Sequence, residues 1–292
     1  MKIKLLEDDS DVQQMRELIK KLAAESTVMD FEEVITLASV RSRTRLWTDN
    51  DAMAAFAYVD DYSNLQFEVA PEYRTPQLMQ QIVDWGLACV RKQNESSGEL
   101  GTLDAVFKPE NRWQIEMLKQ HGFQEDQIRS LHYARDLTAP IIERPLPPGF
   151  KLRYVQGEAE VPALVALHRA AFGTENMTPE ARLSIMRAPG YEPDLDLVLV
   201  APDGQLAAFC ICGFEDEEKN IGYTDPIGTH PRDQRLGLGK AIVSSGLLAL
   251  QARGAKKVKL GTSSENIAMR RLAESLGFGV VSESIWFSRQ VP

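Results

Sequence analysis

Several things are scarce in this sequence. It has three cysteines in 292 residues and none at metal-ligand spacing, so neither a disulfide framework nor a zinc module is indicated, and no metal is expected. Cys210 and Cys212 stand two apart in an apolar segment. On a strand they would share a face with Cα atoms ~6.6 Å apart, poor geometry for a bridge, so they read as buried free thiols. No apolar run approaches the roughly 20 residues needed to cross a bilayer. Glu7, Asp8 and Asp9 interrupt the N-terminus before a secretory signal could form, so a cytoplasmic protein without a membrane partner is expected. Positive charge is short as well: 33 Lys and Arg against 42 Asp and Glu leave −9, which argues against a nucleic-acid surface.

Apolar material is sufficient: 43% of residues are hydrophobic, and the length predicts two domains or one large one. Residues 1–145 hold 17 basic and 25 acidic side chains, and residues 146–292 hold 16 and 17, so the halves carry −8 and −1. The second half, where Arg253, Lys256, Lys257, Lys259, Arg270 and Arg271 cluster, is the better place for an anionic small molecule. Four prolines and a glycine between Pro140 and Gly149 read as a stiff extended linker at the midpoint. The expected division is 1–139, a linker 140–149, and 150–292.

The second half reads as a strand over Phe150–Val155, then helices at Glu160–Ala171 and from Thr178-Pro179 to Arg187. Strands follow at Leu195–Ala201 and Leu206–Phe214, joined by Pro202-Asp203-Gly204, and at Ile221–Thr229. Then come a helix over Ala241–Arg253, a strand at Lys256–Gly261, a helix at Asn266–Leu276 and strand material at Phe278–Trp286. The order is β-α-α-β-β-β-α-β-α-β. The first half repeats it, with helices at Asp11–Ala23, Asp30–Ala38, Leu78–Arg91 and Arg112–Gln120 and strands at Arg45–Trp47, Ala52–Tyr58, Asn64–Val69 and Leu103–Phe107. Asn111 precedes Gly122-Phe123 by eleven residues, as Asn266 precedes Gly277-Phe278. Two copies of one fold are indicated.

The stretch that carries chemistry is Gln234-Arg235-Leu236-Gly237-Leu238-Gly239-Lys240, between a strand and a helix start. N–H groups there lack intrahelical partners, and the helix dipole adds about half a positive charge. Gly237 and Gly239 let a ligand approach the main chain, and Arg235 and Lys240 add charge, so a pyrophosphate suits the site. A phosphate loop of the Walker type fails, because Ala241 follows Gly239-Lys240 and Gln234 stands where the first glycine belongs. A dinucleotide fingerprint fails at Ile242.

The loop matches the (Gln/Arg)-x-x-Gly-x-(Gly/Ala) pattern at every defined position, and with Asn266, Leu272 and Gly277-Phe278 it resembles the GCN5-related N-acetyltransferases (GNAT). As a tandem pair the whole chain is similar to the bacterial two-repeat members of the mycothiol-synthase type. The resemblance implies two α/β (α+β) folds, each a mixed, mostly antiparallel sheet flanked by helices. It implies acetyl-CoA as co-substrate, its pyrophosphate on the amides of Leu236 to Lys240. It also implies pantetheine pairing along Ile227, Gly228 and Thr229, with Gln234, Arg235 and Asn266 nearby. Asn266 is equally an N-cap by position. The implied reaction is direct acetyl transfer in a ternary complex to an amine of a small molecule or peptide. The alternative is a non-catalytic acyl-CoA sensor or scaffold.

Asp225, two residues before Ile227, is the candidate base, since regular alternation puts both on one face. His168, Glu175, Tyr191 and Trp286 are candidates for the acceptor pocket, and His230 fits a cap beside the loop. The family's usual acid, a tyrosine after the helix leucine, is Ala273 here. In the first half, Gln77 and Met79 replace the loop glycines and Pro76 removes a donor, so that half reads as a degenerate copy. It would pack, pair with a second copy of the chain, or shape the acceptor site.

Overall fold

The computed structural model describes residues 1–22, 31–50, 52–98, 101–215 and 220–291; the helix ends expected at Ala23 and Asp30 lie outside these residues. Along the chain the first elements are β1 (Lys2–Leu5), α1 (Asp9–Lys21), α2 (Phe31–Val34), α3 (Ala38–Ser42), β2 (Thr44–Asp49), β3 (Ala52–Val59) and β4 (Leu65–Val69). Then follow α4 (Pro76–Ser97), β5 (Thr102–Phe107), α5 (Arg112–Gln120) and β6 (Gln124–Asp136). The rest comprises β7 (Lys151–Tyr154), α6 (Val161–Phe172), α7 (Pro179–Arg187), β8 (Asp196–Val200), β9 (Leu206–Phe214) and β10 (Ile221–Thr229). It ends with α8 (Leu238–Ala252), β11 (Lys257–Ser263), α9 (Ile267–Ser275) and β12 (Gly279–Gln290). The mixed α/β architecture agrees with expectation, as does the element order of the second half; in the first half, β1 and β6 are additional strands that the sequence did not signal. The helix expected over Asp30–Ala38 is instead two short ones, because Val34, Ile35 and Thr36 place three β-branched residues in succession.

The chain forms two compact units, Met1–Arg129 with Ser284–Pro292, and Ser130–Glu283. In the first, β1-β2-β3-β4 is an antiparallel sheet, and β5 pairs antiparallel with Ile285–Gln290 of β12. One face of this unit packs on α1–α3 through Met15, Val40, Leu46 and Phe56. The other packs on α4 and α5 through Ala57, Ile82, Leu118 and Phe287. In the second unit, β7-β8-β9-β10 run antiparallel, β11 joins β10 in parallel, and Ser130–Asp136 of β6 closes the far side antiparallel to β11. Cys210, Cys212, Val258 and Leu260 face α8 and α9, while Val198 and Phe209 face α6. The two thiols are buried and unbridged, Sγ to Sγ 3.6 Å. Gly246 of α8 admits the contact, since a Cβ there would lie 2.6 Å from Cys212 Sγ.

Each unit thus takes its last strand from the other end of the chain. The segments correspond residue for residue, Ser130-Leu-His-Tyr-Ala-Arg-Asp-Leu137 against Ser284-Ile-Trp-Phe-Ser-Arg-Gln-Val291. Arg135 lies opposite Val258 and donates to the carbonyls of Leu276, at the end of α9, and Pro140 (2.7 Å). Arg289 lies opposite Leu103 and donates to the His121 carbonyl (2.5 Å), at the end of α5. Terminal carbonyls of a helix have no partner within it, so each arginine caps the helix that precedes a Gly-Phe pair. The Pro140–Gly149 stretch has neither helix nor strand, and Ile141 and Leu146 pack on the second unit's core. Arg135→Met is expected to destabilise that unit by about 1.5–3 kcal/mol, the range for a lost charged hydrogen bond, read as a lower urea midpoint.

Candidate functional site

In the second unit β10 and β11 meet for three residue pairs, Ile221–Lys257, Gly222–Val258 and Tyr223–Lys259, and the pairing then stops. Beyond Tyr223, β10 stays with β9 as far as Thr229–Ala208, while β11 stays with β6 as far as Ser263–Ser130. Two strands held on their outer sides and released from each other leave a wedge whose β10 edge is Asp225–Thr229. A register shift against β9 between Thr224 and Ile227 bends that edge.

The wedge runs into the glycine loop. His230 Nδ1 accepts from the Arg232 amide (3.3 Å), and Gln234 Nε2 donates to the Thr229 carbonyl (3.3 Å), which folds the loop back on the strand end. His230 is therefore a cap. Arg235 and Gly237 have φ of 64° and 82°, a conformation that Gly237 adopts without strain. Gly237 is the N-cap of α8 and offers no side-chain acceptor. The amides of Leu238, Gly239 and Lys240 thus stand at the positive end of a 15-residue helix without intrahelical partners. The corresponding helix of the first unit differs. Thr75 Oγ1 accepts from the Leu78 amide of α4 (3.2 Å), and Pro76 has no amide hydrogen. Just before β4, Asn64 bridges Asp104 of β5, and the Phe67 and Phe107 rings, centroids 5.5 Å apart, pack in the first unit's core.

Asp225 and Ile227 do not share a face, because the register shift breaks the alternation. Ile227 packs on the core that holds Val258 and Leu260. Asp225 is exposed, with Oδ2 3.3 Å from where a Cβ would stand on Gly261, on the opposite face of β11. Gly228 faces α6: a Cβ would meet Phe209 Cε1 at 2.3 Å and Ala171 Cβ at 2.9 Å. Gly239 abuts Leu272 Cδ1, 2.8 Å from a built Cβ. Asn266 is exposed and caps α9, its Oδ1 accepting from the Met269 amide (3.0 Å). Ala273 is fully buried in the core, so its position does not open on solvent.

The pocket candidates separate. Glu175 is an exposed partner of Arg169 (2.8 Å). Tyr191 donates to Asp196 Oδ2 (2.7 Å), and Asp196 also pairs with buried Arg182. Burial and the Asp196 charge push the Tyr191 hydroxyl pKa up. His168 stacks on Phe172 (4.5 Å) and Phe209 (5.6 Å), and burial, then Arg182, push its pKa down to about 4. Trp286 lies in the first unit, opposite Val106 of β5. Its counterpart in the second unit is His132, opposite Gly261, which no motif singles out. The repeat of residues 130–137 at 284–291 is the signal that finds it.

An antiparallel sheet opened between its fourth and fifth strands, with a glycine-started helix at the opening, is a fold shared with solved GNAT structures. Similar solved structures are a GCN5-related N-acetyltransferase from Sphaerobacter thermophilus and a tandem GNAT protein from the clavulanic acid biosynthesis pathway. The first has a TM-score of 0.70 at 19% identity, covering 99% of this chain and 96% of that one. The second has 0.71 at 15%, covering 100% and 99%. Residues 161–278 match the model of the Acetyltransferase (GNAT) family. A mycothiol acetyltransferase of Kineococcus radiotolerans is 34% identical over 52% of this chain and 47% of its own length. One of Thermobispora bispora is 28% identical over 81% and 80%. The chain spans about half the length of two such curated relatives that it matches.

Because the His168 pKa is lowered in the fold, the unfolded chain binds the proton more readily. The stability this contributes is complete above about pH 6.5 and lost as pH falls toward 4, with a slope no steeper than about 1.4 kcal/mol per pH unit. His168→Gln is expected to flatten the dependence of the melting temperature on pH between 6.5 and 4; an unchanged slope refutes the assignment.

Proposed function

We propose that the chain is an N-acetyltransferase that moves an acetyl group from acetyl-CoA to the amine of a small molecule in a ternary complex, with its site in the second unit. The observation that carries this is the wedge leading into an uncapped, glycine-started helix. The pyrophosphate would lie on the amides of Leu236 to Lys240, with Arg235 and Lys240 adding charge. The pantetheine amides would pair with the free edge of β10 at Ile227–Thr229, as an added strand does. The group supplied by the bound cofactor is the thioester.

Holding thioester and amine in line supplies about 7–11 kcal/mol of the barrier reduction, and a positioned base adds roughly 10²–10⁴-fold. Backbone amides of the β10 edge polarise the carbonyl. Asp225, exposed on the face away from α8, is the carboxylate that draws in the acceptor ammonium and holds it for deprotonation. With Ala273 buried where the family's tyrosine would stand, the thiolate leaves without a side-chain acid at that position, which a thiol of moderate pKa tolerates. The relatives' name puts a mycothiol-type amine at the head of the acceptors to assay.

Gly237→Glu, with a side chain and a negative charge at the positive-φ cap, is expected to weaken acetyl-CoA binding at least 100-fold in isothermal titration, with unchanged circular dichroism. Unchanged affinity sinks the loop assignment. Asp225→Asn should keep acetyl-CoA affinity and lose about 10²-fold or more in the rate of CoA release with amine. Tight acetyl-CoA binding with no CoA release from any amine would instead make the protein a sensor.

A further inference from the structure

The strand order β6-β11-β10 puts Gly261 between two groups that carry chemistry. On one side, Asp225 Oδ2 lies 3.3 Å from the Gly261 Cβ position. On the other, His132 of β6 is its direct Cα partner. Opposed residues in an antiparallel pair point to the same face. Val258 and Leu260 point into the core, so Gly261, His132 and the Asp225 carboxylate share the opposite face. A glycine at 261 puts no side chain on β11 between these two positions. Among the described residues, this face also carries Tyr223 on β10, Ser130 and Asp136 on β6, and Lys257, Lys259 and Ser263 on β11, with Lys259 tied to Glu215 of the β9–β10 turn (2.6 Å), while α6 packs on the same side of the sheet with His168 and Arg169.

We infer that His132 is a further catalytic residue, the group that receives the proton of the acceptor ammonium while Asp225 holds that ammonium by charge. This rests on the acetyl-transfer reading above and deepens it. A carboxylate with an ordinary pKa near 3.9 is a weak base for an ammonium at neutral pH, whereas imidazole at about 6.5 is matched to the task. An ammonium N–H bond breaks and its proton joins the imidazole. The freed lone pair forms the N–C bond with the thioester carbonyl carbon, and the C–S bond breaks with its electron pair going to sulfur. A remaining amine proton neutralises the thiolate to free CoA, and the imidazolium returns its proton to solvent. The exchanged strand is what brings the imidazole here, since the second repeat's own last strand has Trp286 at this position.

The test measures CoA release from acetyl-CoA by the full chain with an amino sugar, a polyamine, a dipeptide and a cysteinyl amine, from pH 5.5 to 9. His132→Gln is expected to lower kcat about 100-fold, to leave acetyl-CoA affinity unchanged, and to remove the acidic limb of the kcat/KM profile. Imidazole added to His132→Ala should restore rate in proportion to its neutral form. Gly261→Val, which sets a branched side chain against Asp225 Oδ2 on the strand between the two groups, should reproduce the loss. A kcat/KM within threefold of the native value with the acidic limb retained overturns the role of His132 and leaves acetyl transfer standing. No CoA release by the native chain with any amine overturns both.

Discussion

The second unit is organised around an interruption: the parallel contact between β10 and β11 ends after Tyr223 and Lys259. Backbone donors and acceptors released inside a sheet are costly unless something else takes them. The separation survives because each strand keeps a partner on its outer side, β9 for one and β6 for the other. The bulge after Thr224 adds bend to β10, and the chain leaves the strand end directly into the loop that starts α8. A strand edge and a helix start, both short of hydrogen-bond partners, therefore lie in sequence along one path. Such a path suits an extended ligand that has amides at one end and phosphates at the other.

The first unit shows what closes the same architecture. Its helix start is satisfied by Thr75 and lacks one donor at Pro76. The scaffold persists because its cores bury Trp47, Phe56 and Phe67 almost completely. Opening or closing the site requires only changes in side chains and caps, which leave those cores intact. The uneven charge, −8 against −1 for the two halves of the sequence, is in keeping with an anionic ligand being held by the second.

Exchange of the terminal strands ties the repeats together by the chain itself. Each unit's helix before Gly-Phe is capped by an arginine from the exchanged strand, Arg135 in one and Arg289 in the other. Position 132 consequently brings a histidine to the face of β11 that carries Asp225, and position 286 brings a tryptophan to β5.

Much was legible in the sequence because the signals were local. Thr178-Pro179 caps and opens α7, Pro202-Asp203-Gly204 turns the β8–β9 hairpin, and Gly237 starts α8, each through the dihedrals or hydrogen bonds of its own few residues. β1 and β6 carried no such signal. Lys2–Leu5 is short, and Gln124–Asp136 mixes charges with apolar residues, so only pairing with β2 and β11 makes them strands. The face of Asp225 depended on a bulge set by the neighbouring strand, and His168 went to an aromatic stack because Phe172 and Phe209 converge on it. The sequence by itself determined the repeated fold and the phosphate-type loop, since both arise from periodicity and local backbone chemistry. Only the tertiary structure decided which unit each last strand completes and which side chains stand over the opened sheet, since these follow from pairings between residues more than a hundred positions apart.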